Sequence, residues 1–188
     1  MRQVTITACV HAPKGDDMAK TKEDKKMFLY VGAYPDEQSA EADYKAFLDL
    51  RKEGWVGSYD VGIVVKDNEG KIDVTRHTDS TGKGTRRGLA VGVLLGIVFP
   101  PSILAGGLIG AGSGALIGRH FNDISKKDLK ELGDYIEDNE AALVIIGESK
   151  VDEMVKQAAK SAIREYKKEF NADADEFNRQ LDKAEKEI

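Results

Sequence analysis

Apolar positions change period several times along this chain, and each change marks an element. Residues 27–31 (MFLYV) are a continuous apolar run of strand length, the pattern of a strand buried on both faces. Pro35 and Asp36 then open a helix with Ala40, Tyr44, Phe47 and Leu48 on one face, Glu41, Asp43, Lys45 and Lys52 mostly outside it, and Gly54 closing it. In SYDVGIVVKD, alternation puts Tyr59, Val61, Ile63 and Val65 on one face. NEG at 68–70 makes a turn, and KIDVTRHT returns as the hairpin partner, with Ile72 and Val74 on its core side and Arg76 where the core ends. Further on, Ser125 and Asp128 form a capping box, Ile124 stands ready to staple against Leu129, and the helix carries Leu129, Leu132 and Ile136 inward to about Asn139. AALVIIG is a second wholly apolar strand. Val151, Val155, Ala158, Ala162, Tyr166 and Phe170 then recur at helical spacing, which predicts one helix over 151–170. After an interruption at NADAD, Ala174, Phe177, Leu181, Ala184 and Ile188 step by three and four, the row of a helix packing on its own domain or on a copy.

Between the hairpin and the capping box lies a stretch unlike the rest. Residues 88–118, GLAVGVLLGIVFPPSILAGGLIGAGSGALIG, contain no charged residue. Gly88, Gly92 and Gly96 repeat every four residues before Pro100 and Pro101, and Gly106, Gly110, Gly114 and Gly118 do so after them. On a helix such a row lies along one face and lets another backbone approach closely. Glycine costs roughly 1 kcal/mol in a helix relative to alanine, so the rows need a packing reason. The stretch reads as a glycine-zipper helical hairpin that turns at the prolines, occupying residues 86–121.

With the hairpin set aside, the order is β, α, β, β, α, β and then helix. This is the order of a ferredoxin-like split βαβ sandwich, with an expected sheet order of 4-1-3-2. The fold class is therefore α+β: a ferredoxin-like domain over 27–148, the hairpin inserted between its third strand and second helix, and C-terminal amphipathic helices over 149–188. In the 4-1-3-2 order AALVIIG falls at a sheet edge, which its apolar faces would require something to cover. Residues 1–26 read as a poorly ordered leader, in which Val4, Ile6, Ala8 and Val10 alternate briefly before the charged KGDDMAKTKEDKK; Met18 is an alternative start.

FLYVGAYPDEQSAEADY, the RHTDSTGKGTRRGLAVGVLLG junction, the GGLIGAGSGALIG zipper and the closing ALVIIG together resemble a bacterial and archaeal domain-of-unknown-function family, number twelve-sixty-nine. The resemblance covers roughly residues 27 to 170. It implies a predicted membrane protein and, for some members, stress induction, and it supplies no catalytic residues. Where many members have a Pro-Gly turn before the last strand, this chain has Asp138, Asn139 and Glu140.

Length and flanking charge shape the reading of the hairpin. Crossing a bilayer takes about 20 apolar helical residues, whereas residues 89–99 supply 11 and residues 102–118 supply 17. Lys83, Arg86 and Arg87 precede the hairpin, and Arg119 and His120 follow it. Basic residues at both ends fit two ends on the cytoplasmic side, with Lys83, Arg86, Arg87 and Arg119 at lipid headgroups. A re-entrant hairpin satisfies both constraints; the alternative buries both arms in a soluble oligomer.

Composition narrows the function classes. Charged residues make up 32% of the chain, so the apolar hairpin is a local exception. A net charge of −5 argues against nucleic acid as the partner, and the single Cys9 excludes an internal disulfide framework. GKGTRRG lacks the P-loop spacing and is one residue too long for the dinucleotide fingerprint, so it reads as a basic joint. His11, His77 and His120 lie on unrelated elements, with His77 read as an exposed strand residue; no zinc set or Cys-His nucleophile assembles from local spacing. Trp55 and Tyr59 read as core or interface anchors. No catalytic, cofactor or metal residue is assigned. The sequence therefore predicts a non-enzymatic protein that self-associates through Gly88, Gly92, Gly96, Gly106, Gly110, Gly114 and Gly118. It is expected as a homo-oligomer at the inner membrane with a cytoplasmic domain and lipid as a partner. The alternatives are a soluble cytoplasmic homo-oligomer with buried zipper arms and a ferredoxin-like small-ligand sensor.

Overall fold

A computed structural model describes residues 26–52, 59–79, 89–99, 104, 118–137, 139–149 and 151–186. The element order is β1 (Met27–Tyr34), α1 (Glu37–Lys52), β2 (Tyr59–Lys66), β3 (Ile72–Asp79), α2 (Leu89–Val98), a 3-10 turn (Arg119–Phe121), α3 (Lys126–Glu137), β4 (Ala141–Glu148), α4 (Val151–Ala158), β5 (Arg164–Phe170) and α5 (Ala174–Lys186). The class is α+β, and the five strands form one antiparallel sheet in the order β3-β2-β4-β1-β5.

Local signals set the element ends. Asp36 Oδ1 accepts from the Ser39 amide at 2.7 Å and caps α1. Ser125 and Asp128 exchange the two hydrogen bonds of a capping box at the start of α3, at 3.3 and 3.1 Å. Asn139 ends that helix by donating its side-chain amide to the Tyr135 carbonyl at 2.8 Å. Between β2 and β3, Asp67 Oδ1 accepts from the Glu69 and Lys71 amides, and Gly70 takes the positive φ of 78° that the turn requires. A bulge shifts the β2–β3 register between Ile63 and Val64. It leaves Ile72 and Val74 on one sheet face and turns Arg76 to the other, where it pairs with Glu41 at 2.8 Å.

Helices cover both faces. Tyr30, Tyr34, Val61, Ile63, Leu143 and Ile145 form one core with α1 and α4. Leu29, Val31, Val64, Val144 and Ile146 form the other with α2, α3 and α5.

Three sequence expectations change. The sheet order is not the 4-1-3-2 of the ferredoxin-like reading: AALVIIG, in β4, lies between β2 and β1 rather than at an edge. Its apolar faces have a direct cause, because every residue of β4 is buried and both sides are roofed by helices. The helix expected over 151–170 stops at Ala158, and Arg164–Phe170 is instead an edge strand paired to β1. Charges alternate along its outer residues, a common way of blunting an open edge. Lastly, Asp43, placed mostly outside the apolar face of α1 by the sequence, is only 4% exposed.

The expected leader lies outside the described residues apart from Lys26, whose carbonyl accepts from the Ser149 amide at 2.9 Å. Gly54 and Trp55 also lie outside them. Tyr59 is a core residue, set edge-on to Phe47 with ring centroids 5.0 Å apart.

Candidate functional site

The first arm of the expected hairpin is α2, and it does not stand apart from the domain. Ala90, Val91, Leu94, Leu95 and Phe99 are buried in the sheet's second core. Gly62 of β2 lies under the helix, where a Cβ would touch Val91 at an ordinary 3.5 Å and press on the Arg76 carbonyl of β3 at 3.3 Å. Gly133 of α3 lets that helix and α2 approach closely, since a Cβ there would come within 3.3 Å of Val98. The first half of the hairpin expected as an insertion is therefore part of the domain itself: α2 is a roof of the sheet.

Its N-terminus is held by a strand. Gly88, which precedes the helix, has no side chain to cap it. Asp60 of β2 supplies the cap from a distance, its Oδ2 accepting from the Ala90 amide at 2.9 Å and the Val91 amide at 3.4 Å. Its other oxygen pairs with His77 Nε2 of β3. Asp60 is 3% exposed, so its carboxyl group sits in the core, satisfied by a helix N-terminus and an imidazole. His77 is thus a part-buried partner rather than the exposed strand residue that the sequence suggested; its side chain is 12% exposed. The sequence reading passed over Asp60. The available signal was a single acid in the otherwise apolar alternation of β2.

A second buried carboxylate organises the opposite face. Asp43 of α1 accepts from the Tyr34 hydroxyl at 3.0 Å, the Lys160 and Ser161 amides at 2.8 Å each, and the Ser161 hydroxyl at 3.0 Å. It fixes the turn between α4 and β5. Burial pushes the Tyr34 and Tyr30 hydroxyls well above the usual phenol range, so both serve as donors, Tyr30 to Glu165 at 3.3 Å. Tyr30 lies across Gly32, where an added Cβ would meet its hydroxyl oxygen at 2.4 Å. These groups hold backbone and helix ends in place. Among the described residues no group of three or more His, Cys, Asp or Glu gathers as a metal site.

The outward face of α2 is different. Gly92, Val93 and Gly96 are half-buried and Ile97 is 39% exposed. A Cβ at Gly92 would meet nothing within 4 Å among the described residues, so this glycine leaves a smooth surface that none of them fills. Gly118 borders it, since a Cβ there would lie 3.6 Å from Ile97. Leu104 bridges to Ile72 at the β3 edge. Of the residues expected to pack or to turn the hairpin, Gly88, Gly106, Gly110, Gly114, Pro100 and Pro101 lie outside the described residues, as do Lys83, Arg86 and Arg87; Arg119 is exposed. No helix among the described residues is long and apolar enough to cross a membrane.

Residues 85–176 match the model of a family described as a protein of unknown function (DUF1269). Over these residues the chain is similar to DUF1269. Comparison with curated proteins and with solved structures gives no match. The DUF1269 region takes in α2, α3, β4, α4, β5 and the start of α5, and it begins after β3. It therefore contains the glycine rows and the helix that Asp60 and His77 hold, while the holding residues lie before it.

Proposed function

We propose that this chain is a non-enzymatic homo-oligomer that assembles through the outward, glycine-bearing face of α2, with the glycine-zipper hairpin of residues 86–121 as the assembling element. The observation that carries the reading is the two-sidedness of α2. Its inner face is committed to the core, whereas Gly92, Gly96 and Ile97 leave an outer face that, among the described residues, nothing fills at Gly92. Glycine in a helix is unfavourable by roughly 1 kcal/mol, and among the described residues no packing repays it at Gly92. Close approach of a further helix offers the missing compensation.

Membrane association is the second reading, favoured by the charge-free sequence of 88–118 with Lys83, Arg86, Arg87 and Arg119 at its ends. The packing of α2 limits it. Withdrawing that helix into lipid would uncover the sheet beneath, at roughly 1.5–3 kcal/mol for each large apolar side chain returned to water. Any lipid contact on this reading leaves α2 on its sheet and presents only its outer face and the sequence beyond it.

Sedimentation equilibrium of the full chain in detergent-free buffer, with flotation on anionic and zwitterionic vesicles, separates the two. Assembly predicts a mass above the 20.6 kDa of one chain, with no need for lipid or detergent. A one-chain mass at every concentration removes that reading, and flotation with anionic vesicles alone then favours the second.

A further inference from the structure

α3 carries a surface pattern that the glycine face does not account for. Lys126, Lys130, Asp134 and Glu137 follow at intervals of four, four and three, one stripe along the helix, and all four are exposed. The stripe is basic in its first half and acidic in its second, which opposes the helix dipole. Like charges also stand one turn apart, Lys126 with Lys130 and Asp134 with Glu137, again unfavourable within one helix. Among the described residues none of the four side chains makes an ion pair. Asp128, the one acid in the first turn, is committed to Ser125 and Lys168. Beside the stripe an open groove of about 340 Å³ runs between α3 and the end of α2, with Val98, Phe99, Leu129 and Gly133 in its lining and the four charges at its rim.

We infer that this groove is a two-fold contact with a second copy of the chain, in which two α3 helices lie antiparallel. The charge order selects that orientation. Rotation about the middle of the stripe sets Lys126 of each copy against Glu137 of the other, and Lys130 against Asp134, so every unpaired charge finds an opposite one. A parallel arrangement sets like on like. The antiparallel pair also opposes the two helix dipoles and covers the apolar lining with the same surface of the other copy, as an isologous contact must. The inference shares with the proposed function only the identity of the partner, a second copy; it uses α3 and not the glycine face.

The test is charge reversal with mixing. K126E/K130E makes the stripe wholly acidic, and D134K/E137K makes it wholly basic. Each variant alone sets like charges across the two-fold and weakens self-association by about tenfold or more, read by sedimentation velocity at low salt. An equimolar mixture of the two restores assembly as a mixed species, and added salt weakens it. All four side chains are exposed, so far-UV circular dichroism matches wild type. If either double variant fails that check, Lys130→Glu and Asp134→Lys are mixed in its place with the same readout. Wild-type assembly that is unchanged in each variant overturns the α3 contact and leaves the glycine face standing. A wild-type chain that never exceeds one-chain mass overturns both, and a mixture no more associated than its components overturns the antiparallel pairing.

Discussion

Asp60 is the residue on which the placing of α2 most depends. Replacing it with alanine removes the acceptor for the Ala90 and Val91 amides and the partner of His77, all in a core where water has little access. Loss of a helix cap costs about 1 kcal/mol, and leaving buried donors unsatisfied adds about 1–3 kcal/mol. Asp60→Ala should therefore destabilise the protein by about 2–4 kcal/mol. Asp60→Asn keeps the shape, an oxygen for the Ala90 amide and an N–H for His77, and it loses mainly the charge at the helix N-terminus, about 0.3–2 kcal/mol. Urea unfolding followed by circular dichroism measures both, and hydrogen exchange locates the effect. The Ala90 and Val91 amides should exchange much faster in Asp60→Ala, while amides of β1 and β4 follow only the global loss. An alanine variant within about 0.5 kcal/mol of wild type, the range of an ordinary surface substitution, would refute the capping account. Equal losses for alanine and asparagine would assign the whole effect to charge and refute the role given to geometry.

Two further predictions concern other parts of the fold. Gly32→Ala sets a Cβ against the Tyr30 hydroxyl and should cost about 1–3 kcal/mol by urea titration, and pairing it with Tyr30→Phe should recover part of the loss. The Asp128 carboxyl is held below the usual carboxylate range, first by its hydrogen bond from Lys168 and then by Ser125. Its contribution is complete above the ordinary carboxylate pKa, near 4, and is lost as pH falls through the lower folded value. Asp128→Asn should therefore lie closer to wild type in acid than at neutral pH, and a gap that stays constant down to pH 2 would contradict this linkage.

The parts of the fold legible in the sequence are those fixed by local chemistry. The Ser125–Asp128 capping box, the Asp36 cap, the NEG turn and the inward rows of α1, α3 and α5 depend on residues a few positions apart, and the pattern shows them directly. β5 was hidden because Tyr166 and Phe170 stand four apart, a spacing that fits a strand face and a helix face alike, and because an edge strand with one wet side looks polar. The sheet order was hidden because the split βαβ order is compatible with more than one arrangement of strands. The apolar faces of β4 were the clue that it lies inside the sheet. Asp60 and Asp43 were hidden for a related reason: each is polar in sequence and buried in structure, and its partners come from segments 9 to 118 residues away. Only the tertiary arrangement makes a buried carboxylate affordable.

The most direct test of assembly through α2 is the mass of Gly92→Leu in solution. An added Cβ at this position meets nothing within 4 Å among the described residues, and leucine is the better helix former by about 0.8–1 kcal/mol, so the folded chain should be at least as stable as wild type. Its bulk nevertheless fills the surface on which another helix would pack. The account predicts an unfolding midpoint that is unchanged or higher, together with a fall from the assembled mass toward the 20.6 kDa of one chain. A variant that keeps the wild-type mass would contradict it.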